Sequence, residues 1–107
     1  MDQVQALVQQ GPRARELVLD VRDPDEYADS HVPGSKNIPL GLILDSPTRW
    51  VRELRDYNTV YVHCGGGGRA GKASHALESA GLTNIVHVCD SGMRSWLASG
   101  YPIERTP

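Results

Sequence analysis

The stretch Thr59-Val60-Tyr61-Val62-His63-Cys64-Gly65-Gly66-Gly67-Gly68-Arg69 decides how this chain folds. Its first six residues are rich in β-branched and aromatic side chains that suit a pleated strand, and the four glycines that follow do not continue one. A strand therefore runs straight into a loop. Beyond it, Ala73, Ala76, Leu77 and Ala80 recur at helical spacing and Gly81 stands where a helix cap belongs, so a helix is predicted over residues 70–80.

Working outward, Leu17-Val18-Leu19-Asp20-Val21 is an apolar run that reads as a buried strand whose end delivers Asp20, Arg22 and Asp23. Pro24 opens a short helix around Asp25 to Ala28. A first helix is expected over residues 2–10 from the spacing of Val4, Leu7 and Val8, closed by Gly11-Pro12. Pro33-Gly34 signals a turn, and Asn37-Ile38-Pro39-Leu40 reads as a short extended piece limited by its proline. Ser46-Pro47 through Leu54 predicts a helix, Ile85-Val86-His87-Val88-Cys89 a further strand, and Met93, Trp96 and Leu97 a last helix before Gly100-Tyr101-Pro102. Such alternation specifies an α/β fold: a mainly parallel central sheet of about five strands, flanked by helices on both faces, with sites at the carboxyl ends of the strands. The length suits one domain over residues 1–107.

Net charge is −2 and the eleven Lys and Arg are dispersed, so nothing resembles the electrostatic footprint of a nucleic-acid binder. Met1-Asp2-Gln3-Val4-Gln5 lacks the charged start and apolar run of an export signal, and no stretch approaches the length of a membrane span. The expected setting is cytoplasmic, without membrane or nucleic-acid partners. In that reducing compartment two cysteines do not make a disulfide framework, so each is read as reactive or as packed.

A Cys-Gly-Gly-Gly-Gly-Arg loop between a strand and a helix start has definite chemistry. Glycine puts no Cβ in the way, so several backbone N–H groups can converge on one anion. The positive end of the following helix and the guanidinium of Arg69 add to that potential, and the same field favours a thiolate at Cys64. Nucleophile and anion cradle (Gly65, Gly66, Gly67, Gly68 and Arg69) thus come together, with Lys72 nearby.

These residues resemble the active-site loop of rhodaneses, in which a cysteine and an arginine bracket four residues. Leu19-Asp20-Val21-Arg22, Glu26-Tyr27, His31-Val32-Pro33-Gly34 and Asn37-Ile38-Pro39 are similar to that family's N-terminal signature, and Asp90-Ser91-Gly92-Met93, Trp96 and Gly100-Tyr101-Pro102 to its closing motif. The resemblance covers nearly the whole chain. It implies a sulfurtransferase: Cys64 takes the outer sulfur of a small anionic donor such as thiosulfate, and the persulfide passes it to cyanide, a thiol, or a protein of a sulfur relay, with no cofactor. It also implies that Arg69 binds the donor's oxygens or buttresses the loop, and that Asp20 and Arg22 support the loop. Positions 65 to 68 carry no basic or hydroxyl side chain, which implies a weak hold on thiosulfate. Ser30 and Ser91 stand where the family usually has glycine.

Other readings attach to the same residues. The bland alternative for Cys64 is an inert cysteine at a strand end, and Cys89 either packs in the core or acts as a resolving thiol. Gly66 to Lys72 imitates a nucleotide-binding P-loop with Asp90 as a metal aspartate, but Ala73 stands where the metal-binding hydroxyl belongs. A phosphatase or arsenate reductase would use the same cysteine and arginine, although the cell-cycle phosphatases of this fold have one more residue between them. His63-Cys64 and His87-x-Cys89 are poor metal ligands, since adjacent strand residues face opposite ways. His31 and His75 read as surface or loop-contact residues rather than bases. A non-turnover sulfur carrier or interaction module is the remaining alternative.

Overall fold

The computed structural model of the chain describes residues 4–5, 15–65, 68–88 and 92–106. The helix expected over residues 2–10 falls largely outside them; Val4 and Gln5 are helical and Val4 is fully buried.

The apolar run before Arg22 forms strand β1 (Glu16–Asp20), and Pro24, whose ring fixes a helical φ, opens α1 (Pro24–Asp29). Then follow β2 (Lys36–Asn37), α2 (Leu40–Asp45), α3 (Pro47–Leu54), β3 (Thr59–His63), α4 (Gly68–Ser79), β4 (Ile85–His87) and α5 (Met93–Ala98). Among the described residues the sheet has four strands in the order β2-β1-β3-β4, all parallel, rather than about five. The expected extended piece at 37–40 is two residues of strand. Pro39, with φ −57°, then serves as the cap of α2, a helix whose short apolar run Leu40-Gly41-Leu42-Ile43-Leu44 gave too few turns to show a period. The predicted helix over 70–80 begins earlier, at Gly68, and gives way to Gly81 at φ +108°.

The register explains which side chains meet. Leu17 pairs with Val60 and Leu19 with Val62, so these four share one face, where Ala70, Ala73 and Leu77 of α4 cover them. The two alanines keep that helix close to the strands. Val18 faces the other way and packs with Val32, Met93 and Trp96, so helices lie on both sides of the sheet. By the same alternation, Asp20 and His63 stand opposite each other on the Val18 face.

After α5 the chain returns along the far side of α1. Trp96 Nε1 donates to the Pro102 carbonyl at 2.6 Å and meets the Tyr101 ring edge-on. Glu104 and His31 exchange backbone hydrogen bonds of 2.9 Å each, the Glu104 carboxylate accepts from the Gly34 N–H at 3.0 Å, and Thr106 N–H donates to the Ala28 carbonyl.

Candidate active site

From β1 the chain steps to β2 on one side and later returns to place β3 on the other. The crevice beyond the carboxyl ends of β1 and β3 is therefore the topological switch point of the sheet. β3 delivers His63 and Cys64 there, and β1 delivers Asp20 and Arg22.

Cys64 follows Val62 onto the α4 side. The Ala70 N–H, in the first turn of α4, lies 3.4 Å from its Sγ and points one unpaired helix-end donor at the sulfur. The peptides around Cys64 are fixed from the opposite side. Met93 N–H donates to the Cys64 carbonyl at 2.8 Å and Arg94 N–H to the Gly65 carbonyl at 3.2 Å, so the opening donors of α5 are satisfied by the loop. Because C=O and N–H of one peptide point oppositely, holding the Cys64 carbonyl toward α5 turns the Gly65 N–H away from it. Of the expected cradle, Gly65 is half-buried, Gly68 is the exposed first residue of α4, and Gly66 and Gly67 lie outside the described residues. Cys64 itself is 1% exposed, so its thiol is buried instead of standing at an open mouth.

Behind the loop, Asp20 is fully buried. One of its oxygens accepts from the Arg22 N–H at 3.0 Å, and both take Arg22 Nε at 3.1 Å; Arg22 Nη2 reaches Oδ2 at 2.9 Å. A second bond from Arg22 Nη2, 2.6 Å long, goes to the Ser30 carbonyl. Two buried charges are thus paired, and the guanidinium gains a further acceptor in the Ser30 carbonyl. Asn37 Nδ2 donates to the carbonyls of Asp20 and Arg22 and holds this corner of the backbone. Ser30 takes glycine's usual place without strain because its φ of −163° is extended backbone that any residue adopts.

His63 Nε2 stands 3.9 Å from Asp20 Oδ2, too far for a hydrogen bond, and neither ring nitrogen has a partner among the described residues. Burial pushes the His63 pKa down, opposed by the Asp20 carboxylate and the neighbouring Cys64 peptide, so the ring is neutral. His31 is buried and stacked on Tyr27, with Nδ1 at 2.7 Å from the Tyr27 carbonyl, so it is a packed residue and not a surface one; His75 is exposed.

Arg69 points at Glu26. Nη1 donates to Oε1 at 2.6 Å and Nη2 to Oε2 at 3.2 Å. This pair holds the Glu26 carboxyl at about 2, and Glu26 in turn raises the Arg69 guanidinium. Lys72 is exposed on α4 and makes no ion pair among the described residues. Sequence reasoning assigns no role to Glu26, Ser30, Gly92 or Arg94; for Glu26 the available signal is its position at the third residue of a proline-opened helix, beside the Arg22 corner. Cys89, Asp90 and Ser91 lie outside the described residues, and no helix among those described is long and apolar enough to cross a membrane.

Comparison with known proteins agrees with this architecture. The family model described as a rhodanese-like domain matches residues 1–99. The putative sulfur carrier protein YrkF of Bacillus subtilis is 33% identical over 74% of this chain, which spans only 40% of that relative's length. The thiosulfate sulfurtransferase GlpE of Pseudomonas fluorescens is 33% identical over 96% of the chain and 85% of its own length, and the dual specificity phosphatase Cdc25 of Arabidopsis thaliana is 30% identical over 82% and 66%. The crystal structure of the Alr3790 protein from Anabaena superposes with a TM-score of 0.81 at 27% identity, covering 98% of this chain and 89% of that one. With the match extending through both strands of the switch point and the loop between them and α4, this chain belongs to the rhodanese-like domain family.

Proposed function

We propose that this chain transfers sulfane sulfur through a persulfide on Cys64. The observation that carries the reading is a cysteine Sγ at the switch point with the first-turn N–H of α4 directed at it, a backbone donor that reaches the sulfur itself. In the first step the Cys64 thiolate attacks the outer sulfur of thiosulfate. A bond forms between Sγ and that sulfur, the donor's S–S bond breaks, and its electron pair leaves with sulfite. In the second, cyanide or a thiol attacks the terminal sulfur and the thiolate is returned. Because Cys64 is buried, either partner reaches its sulfur only as the groups around it move aside.

Similarity to the thiosulfate sulfurtransferase GlpE supports an enzyme, and similarity to the sulfur carrier protein YrkF a carrier. Intact-mass measurement after incubation with thiosulfate tests the shared step. One sulfur atom is expected to add, to be removed by cyanide as thiocyanate, and to be absent in Cys64→Ser. No added sulfur, or sulfur that persists in Cys64→Ser, overturns the reading. The Cdc25 relative motivates the control: turnover of an aryl phosphate without sulfur loading would identify a phosphatase instead.

A further inference from the structure

Two arginine side chains lie against Gly65, the residue next to the nucleophile: Arg69 through its guanidinium and Arg22 through its Cδ methylene. A Cβ built on Gly65 would lie 3.2 Å from Arg69 Nη2 and 3.8 Å from Arg22 Cδ. Each of these cations already has its own carboxylate. Arg22 is buried against Asp20, and Arg69 is held by both oxygens of Glu26. Glu26 is itself anchored, because its Oε1 also accepts the Asp23 N–H at 3.1 Å in the capping box of α1. Lys72 and Arg94, the other cations flanking the loop, are exposed, and water and salt screen their charge.

We infer that Glu26 sets the donor preference of the Cys64 site: it occupies the guanidinium that an anionic donor would need, and so favours a persulfide donor over thiosulfate. This rests on the sulfur-transfer reading above. Thiosulfate is a dianion, and its oxygens gain Arg69 only by displacing a carboxylate that then stays beside them as a like charge. An alkyl persulfide carries at most one charge and makes no such demand. The Cys64 thiolate attacks its outer sulfur, a bond forms to Sγ, the donor's S–S bond breaks, and the electron pair leaves as the alkyl thiolate while the proton stays on the transferred sulfur.

The test measures donor KM with cyanide as acceptor, using thiosulfate and 2-hydroxyethyl persulfide, for the wild type and Glu26→Gln. Glutamine serves equally at the third position of a capping box, so α1 keeps its start while the competing charge is removed. The thiosulfate KM is expected to fall roughly three- to fivefold, the scale of one exposed ion pair, with the persulfide KM unchanged. Glu26→Ala should move the ratio of the two KM values the same way. Equal changes for both donors, or weaker thiosulfate binding, would reduce Glu26 to a strut and overturn the inference while leaving sulfur transfer intact. Failure of both donors to load Cys64 in the wild type sinks the sulfur-transfer reading and this inference with it.

Discussion

Gly92 lies directly against the carbonyl of Cys64: a Cβ built on it would overlap that oxygen and press on the carbonyl carbon at 3.0 Å. Its backbone, φ +56° and ψ −126°, belongs to a region open only to glycine. This single residue lets α5 begin close enough for Met93 N–H to hold the Cys64 peptide.

Gly92→Ala is therefore expected to destabilise the fold by about 3 kcal/mol or more, combining backbone strain with a collision against main chain that cannot swing away. Urea denaturation measures the loss. A change below about 1 kcal/mol would mean that α5 and the Cys64 peptide are not packed as described.

Removing the carboxylate at position 20 strands a buried cation. Asp20→Asn leaves the Arg22 guanidinium, which is only 5% exposed, without its counter-charge, and the expected loss is about 3–5 kcal/mol. The double substitution Asp20→Asn with Arg22→Met should be less damaging than Asp20→Asn alone, because no unpaired charge remains. Thermal or urea unfolding of the three proteins checks the order, and a double variant weaker than the single one would refute it.

Acid should weaken the fold through His63. Its folded pKa lies below the ordinary 6.5, so the unfolded chain binds the proton more readily than the native one. The contribution is complete above pH 6.5 and is lost as pH falls from there toward the lowered folded value. Stability measured at intervals below neutrality should show this slope in the wild type and a shallower one in His63→Gln. Parallel slopes in the two proteins would show that His63 is not the titrating group.

The strand-to-glycine transition was enough to place Cys64 just past the end of a strand, because β-branched alternation and a run of glycines are local signals. The Asp20–Arg22 corner was also legible, as charge at the end of an apolar strand. What stayed hidden depends on residues far apart in the chain. Arg69 read as a free anion-binding cation because nothing in the loop shows Glu26, forty-three positions earlier, reaching across to it. The burial of Cys64 was equally invisible, since it depends on Ala70 of α4 and on Gly92 and Met93 at the start of α5, which reach it from distant parts of the chain. Helix α2 was missed because one and a half turns after a proline carry too little periodicity to separate from an extended run.

The returning segment past α5 acts as a distant fastening for the chemistry. It grips His31, and His31 is bonded in sequence to Ser30, whose carbonyl is the second anchor of Arg22. Nicking the chain between Pro102 and Glu104 would therefore loosen the Arg22 corner that lies against Gly65 without touching a group that contacts the sulfur, and activity lost to such a cut would report on the support of the loop rather than on altered reactants.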